Sequence, residues 1–350
     1  MADEDKKTLL LSWLQLAAEL ELATIPPYLM ALLSIQRPAS REAAELIRSV
    51  MIEEMLHLAL VSNVMSAIGG GVRLRQENIP TYPLSMCFEG KPFEDRRFKV
   101  DLAPFHEEVI RTFLKIEQPT WMRPDQKTLA LDIDIPGLTI GAYYRNIEQL
   151  LEELDHANPG TLFCGDPGHQ IREDYYWSSG GRAIAVLDLA SAKAALNLLI
   201  AQGEGSWERP LDAVSARFGS RLEMGHYFRF NEILYKRRYT STDDPAGAPS
   251  GDRFPVNYSA VYPFKINARS EDYASGSPLA ILNATFNSRY TAMLKQLEES
   301  CNGTPRTLYT SINDGMHTLA PIALQMMKTS IDGDPQGRTG CPTFEWLDQS

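Results

Sequence analysis

The chain has 350 residues, 44% of them hydrophobic and 23% charged, an ordinary globular composition with room for a large core and one or two domains. Its formal net charge of −11 argues against general nucleic-acid binding, which requires a basic face. Cys87, Cys164, Cys301 and Cys341 are scattered without a C-x-x-C pair, which indicates neither a disulfide framework nor a thiolate zinc site and makes a reducing, cytoplasmic setting the simplest one.

Met1 to Lys7 is charged and lacks the basic start and apolar run of a signal peptide, and no stretch is expected to span a membrane. From Thr8 to Gln36 the periodicity predicts a helix with Leu10, Leu14, Ala18, Glu21, Ile25 and Tyr28 on one face. Pro26 and Pro27 lie inside it and should kink it, since proline removes a backbone donor and clashes one turn back. Ser40 is placed as the cap of a second helix that runs to Ile68 and stops at Gly69-Gly70-Gly71. The Pro-rich stretch from Val72 to Leu138 has the length of a crossover and holds one helical segment, Pro104 to Glu117. A third long helix is predicted from Thr139 to His156.

Gln170 to Trp177 and Ala183 to Leu189 have strand-like content and are expected to pair as a small ribbon. Ala190 to Ala201 reads as a short helix closed by Gly203 and Gly205, with Gln202-Gly203-Glu204-Gly205 as its stop. Leu211 to Arg238 is predicted as the fourth long helix. Thr240 to Gly251 is a polar linker. Two further helices follow at Leu279 to Ser300 and Ser311 to Thr329, so residues 1–240 and 254–350 are expected as a bundle and a helical extension packed on it.

The tetrad Glu-x-x-His occurs at Glu54–His57 and at Glu223–His226. Residues three apart share a helical face, so each copy aims a carboxylate and an imidazole in one direction. Two such helices, with two more that each supply a Glu, make the donor set of a di-metal four-helix bundle. In an antiparallel bundle the helix midpoints lie level, which brings Glu21, Glu54, Glu148 and Glu223 into one layer beside His57 and His226. Buried carboxylates without a partner are costly, and two divalent ions would neutralise four of them. Glu54, His57, Glu223 and His226 are assigned as catalytic residues and, with Glu21 and Glu148, as metal ligands. For the third helix Glu152 and Glu153 are alternatives to Glu148, while Glu153–His156, a third tetrad, sits in the last turn away from the layer. Glu53 is placed as an acceptor behind the ligands, and Tyr28, Tyr143 and Tyr144 as neighbours of the layer whose default role is packing. Hard carboxylates with imidazoles suit two iron ions, with manganese as the other candidate.

Glu21-Leu22-Ala23-Thr24-Ile25-Pro26-Pro27-Tyr28-Leu29 resembles the first-helix signature of the ferritin-like region of iminophenyl-pyruvate dimer synthases. Glu53 to Asn63, Ile140 to Tyr144 and Glu223 to Phe230 resemble its later helices, and Gln202 to Gly205, Phe286-Asn287 with Tyr290, and Pro342-Thr343-Phe344 resemble patterns of stand-alone relatives. Relatives often carry Glu where this chain has Ala142, and the synthases are much longer, so dimer formation is not carried over. The resemblance implies a mainly all-α fold: a ferritin-like four-helix bundle with a long crossover, a small β ribbon and extra C-terminal helices. It also implies a metal layer and oxidative chemistry. The expected function is that of a di-iron oxidoreductase using oxygen on a small organic substrate, without nucleic-acid or membrane partners and compatible with a homo-oligomer. The alternatives are a ferroxidase or iron-binding protein, or a metal-free scaffold.

Overall fold

The computed structural model describes residues 3–88, 97–120, 134–135, 139–176, 180–205 and 224–347. Helix α1 (Asp3–Ser34) opens with Asp3, Glu4 and Asp5, acidic groups that suit the positive end of the helix dipole. Its second half is buried on almost every side, from Leu20 to Ser34, because it runs through the centre of the molecule. Pro27 removes the donor that would serve the Ala23 carbonyl, and the Tyr82 hydroxyl donates to that carbonyl instead, at 2.7 Å. Helix α2 (Arg41–Ala67) packs along α1. It stops at Gly69 (φ +80°), where Gly70 N–H donates to Met65 O. Ser40 does not cap α2 through its side chain: it lies at φ 49°, and its hydroxyl accepts from Asn257 N–H at 2.7 Å, tying the helix start to the C-terminal region.

The crossover carries a three-stranded sheet of order β2-β1-β3, formed by β1 (Leu84–Phe88), β2 (Arg97–Val100) and β3 (Asp134–Ile135). Strands β1 and β2 are antiparallel with Leu84 opposite Val100, and β1 and β3 are parallel. The ribbon expected at 170–189 is absent among the described residues there. The Ile171 and Ile184 carbonyls instead accept from the Asn63 side-chain amide on α2, which removes the free backbone groups a ladder would need.

Helix α3 (Glu107–Ile116) lies within the crossover. Helix α4 (Ile140–Ala157) starts on the Thr139 hydroxyl, which accepts from Ala142 N–H. Helix α5 (Leu189–Glu204) starts on a reciprocal Asp188–Ser191 cap and ends at Gly205 (φ +81°). Helix α1 packs on α2 and α4, and α5 packs on both α4 and α2, so α1, α2, α4 and α5 close the four-helix bundle. The fourth bundle helix is therefore the short one, not the segment expected from Leu211 to Arg238. Among the described residues that segment is helical as α6 (His226–Tyr235), with Gly225 as its N-cap, and residues 211–223 lie outside the described set. Helix α6 pairs with α3 and rests on α2. Tyr28, Phe113 and Phe230 form the aromatic contact joining α1, α3 and α6, with ring centroids 4.5–5.3 Å apart.

C-terminal to these, α7 (Pro278–Cys301) is capped by Ser277. A short helix α8 (Thr307–Thr310) and a π turn (Ser311–Met316) lead into α9 (His317–Met327). The buried apolar side chains of α7 and α9 are continuous with those of the bundle. Asn287 donates to the Thr343 hydroxyl at 2.8 Å, and Phe344 packs edge-on against Phe286 and Tyr290. The patterns around Phe286-Asn287 and Thr343-Phe344 thus clamp the C-terminal segment onto α7. Contrary to the expectation, α1 and α2 are each long and apolar enough to cross a membrane, but 72% and 83% of their most apolar windows are buried inside the fold.

Candidate metal centre

Glu21 projects from the middle of α1, and Glu54 and His57 project from one face of α2. All three are buried, each about 3% exposed. His57 Nδ1 lies 3.3 Å from Glu21 Oε2 and 3.4 Å from Glu54 Oε2. The other oxygen of Glu54 faces His226, the fully buried first residue of α6, with Oε1 2.9 Å from Nδ1. Glu117, which ends α3, brings Oε2 to 3.3 Å from the same nitrogen. Glu21, Glu54 and His57 form one group able to hold an ion and Glu54, Glu117 and His226 a second, the ligand atoms of each within 4.8 Å of one another. Glu54 spans the two, and the imidazoles stack with centroids 5.4 Å apart.

The far nitrogens fix both tautomers. His226 Nε2 is 2.9 Å from Glu53 Oε2, and an ionised carboxylate only accepts, so Nε2 carries the proton. Arg229 keeps Glu53 ionised by donating to both of its oxygens, at 3.0 and 2.9 Å. His57 Nε2 is 3.0 Å from Gln202 Oε1. The Gln202 amide nitrogen donates to Gly180 O at 2.7 Å, so the oxygen faces the ring and His57 Nε2 is the donor. With Nε2 committed as a donor on each ring, Nδ1 is the nitrogen that faces the carboxylate oxygens and that would ligate a metal ion once its proton is released. His226 Nδ1 is buried and makes no hydrogen bond, a cation-shaped need that a metal ion meets.

Charge crowding shows in the protonation of the metal-free site. Burial and the neighbouring Glu117 and Glu21 carboxylates push Glu54 well above the carboxylate range. Burial opposes charge on Glu21, but its bonds to His57 outweigh that and hold it low. Burial likewise opposes charge on His226, yet the Glu117, Glu53 and Glu54 carboxylates raise it to about 10. Two tyrosines hold the outer ligands: Tyr144 donates to Glu21 Oε1 and Tyr28 to Glu117 Oε1.

A cavity of about 20 Å³, enough for about one water, is lined by Glu21, Glu54, His57, Glu117, Tyr144 and Glu204. Glu204 Oε1 accepts from Thr120 N–H at 2.9 Å and from the Thr139 hydroxyl at 3.0 Å. Gln202-Gly203-Glu204-Gly205 is thus more than a helix stop: Gln202 orients His57 and Glu204 reaches the cavity wall. Gly141 permits this, since a Cβ there would collide with the Glu204 carboxylate.

Of the predicted residues, the fold brings Glu21, Glu54, His57 and His226 together, with Glu53 behind them. Glu148 stands apart from both groups, with Oε1 3.4 Å from Lys193 Nζ on α5. Lys193 also holds Glu152, and Glu153 pairs with Lys6 at 3.1 Å, so none of the third-helix candidates joins the cluster. Tyr144 is the α4 residue that reaches it. Glu223 lies outside the described residues, and α6 begins at His226 with Gly225 as its N-cap. Glu117 was missed. Its signal was the row Ile110, Phe113, Glu117, which places a carboxylate on the buried face of α3.

Dichlorochromopyrrolate synthase of Lentzea aerocolonigenes is 21% identical over 321 residues, 84% of this chain, but the chain spans only 29% of that protein's length. The crystal structure of a ferritin-like protein from Caulobacter vibrioides superposes with a TM-score of 0.60 at 22% identity, covering 95% of this chain and 97% of the other, a likeness of fold. The sequence model described as Ferritin-like matches residues 14–235, which takes in α1 to α6 and every ligand candidate, and the chain therefore belongs to the ferritin-like family.

Proposed function

We propose that this protein is a di-metal oxidoreductase, with iron as the metal, that uses oxygen to oxidise a small organic molecule. The observation that carries the reading is Glu54, whose two oxygens each face the Nδ1 of a different buried histidine, one of which lacks any hydrogen bond. Glu21 with His57 would hold one ion, Glu117 with His226 the other, Glu54 would bridge them, and Glu204 would offer a fourth carboxylate from the cavity wall. Two iron ions bound there would supply the electrons for oxygen reduction. The protein's own groups set the conditions: Tyr144 and Tyr28 orient the terminal carboxylates, Gln202 and Glu53 hold the imidazoles, and the cavity beside them has room for about one water. A relative named as a synthase of an organic product supports enzymatic use of the centre. A reducing cytoplasm is the compartment that suits the chain's chemistry.

The size of the cavity favours a second reading, iron handling without an organic substrate, since about 20 Å³ admits little beyond one water. Purified protein loaded with ferrous ion decides between them. Oxygen consumption that rises with members of a panel of small aromatic and aliphatic substrates supports the oxidoreductase. Consumption that stops once the ferrous ion is oxidised, whatever is added, supports iron handling.

A further inference from the structure

The two halves of the centre have the same inner donors but different supports. His57 donates Nε2–H to the neutral Gln202 amide, which itself is set by Gly180 O. His226 donates Nε2–H to Glu53, a fully buried carboxylate. Arg229, 1% exposed, grips Glu53 through both oxygens and also donates to Met224 O at 2.7 Å and to the Ser49 hydroxyl at 3.1 Å. A charged acceptor polarises the N–H more than an amide does, and so leaves more electron density on Nδ1 for a cation. The Arg229 clamp also locks the ring in register, because Glu53 cannot rotate without breaking two charged bonds, whereas Gln202 is anchored through one.

We propose that the centre is unequal by construction: the His226 half, supported by Glu53 and Arg229, holds a divalent ion more tightly than the His57 half, supported by Gln202, so that the two ions load in order. This rests on the di-metal reading above. Glu53, Arg229 and Gln202 act here as positioning residues, since Glu53 and Gln202 hold the imidazoles and Arg229 holds Glu53.

The test is titration of the metal-free, full-length chain with Co²⁺, followed by visible absorption and by calorimetry. The expected result is two resolved binding steps about tenfold or more apart in affinity. His226→Ala should remove the tighter step and His57→Ala the weaker. Glu53→Gln should weaken the tighter step about ten- to a hundredfold, and Gln202→Glu should strengthen the weaker one. Because Glu53→Gln leaves Arg229 buried without its partner, Glu53→Gln with Arg229→Met serves as the folded control, checked by its helical circular dichroism, and should lose the same step. Two steps of equal affinity in the wild-type chain, or the reverse assignment from the histidine variants, would overturn the proposal and leave the di-metal reading standing. Failure of the wild-type chain to bind Co²⁺ at all would overturn both.

Discussion

At the scale of single residues, the charge of the site decides what can be tested. Glu117 and Glu148 are both carboxylates in partly apolar rows, but only Glu117 faces the Nδ1 of a buried histidine, while Glu148 faces the Lys193 ammonium. Glu117→Gln is expected to lower affinity for at least one ion, measured by calorimetry, and Glu148→Gln to leave binding unchanged, because it removes only a rim ion pair. Equal losses in the two variants would return Glu148 to the ligand set. The protonation pattern gives a second outcome. His226 is raised from 6.5 to about 10, so it contributes stability in full below pH 6.5 and loses it as the pH rises through about 10. Glu54, also raised, acts in the same direction, and Glu21, lowered, acts only toward acid. The melting temperature of the chelated protein should therefore fall from pH 6.5 to 10. Divalent metal should flatten that fall by taking the place of the protons. A chelated protein whose melting temperature is level across that range would contradict the assignment.

At the scale of elements, two helices depend on contacts from outside themselves. Helix α1 keeps its course through Pro26-Pro27 because Tyr82 serves the Ala23 carbonyl. Tyr82→Phe should cost about 1–3 kcal/mol in denaturant titration, the usual penalty for a buried acceptor left alone. A cost near zero would show that water serves the carbonyl instead. Helix α4 meets α5 at Gly141, beside the Glu204 carboxylate. Gly141→Ala should drive Glu204 from its Thr120 and Thr139 partners, lowering both metal content and stability, the latter by about 1–3 kcal/mol. Retention of full metal content would remove Glu204 from the centre. The first, second and third helices were legible in the sequence to within a few residues, as were α7 and the end of α9, because their apolar periodicity is local. The identity of the fourth bundle helix was not. The Leu189–Glu204 segment was read as a short helix, but its packing on both α2 and α4 is a long-range choice that its local pattern does not carry.

At the scale of the whole molecule, the centre lies where parts of the chain distant in sequence meet: α1 and α2 of the bundle, the end of α3 in the crossover, and the start of α6. Metal should therefore behave as a structural ligand of the entire fold. Loading with ferrous or manganous ion is expected to raise the melting temperature in a concentration-dependent way, and elemental analysis should find close to two ions per chain. A protein that stays empty on reconstitution, with an unchanged melting temperature, would favour a metal-free scaffold.

The sequence by itself determined the helical class of the fold, the Glu54–His57 pair, the inward place of Glu21 and the interest of His226. The first three follow from helical spacing, which acts over three or four residues, whereas His226 was singled out through its tetrad with Glu223, which lies outside the described residues. Only the tertiary structure decided the rest. Glu117, and not Glu148, lies beside His226 because α3 docks on α6, which rests on α2, and Tyr144 took the α4 position that a carboxylate was expected to fill. Gln202 and Glu53 became the supports of the two imidazoles, and Glu204 reached the cavity past Gly141. These choices depend on how helices far apart in the chain pack and on which backbone approaches a residue without a Cβ tolerates. No periodicity within one segment carries that information.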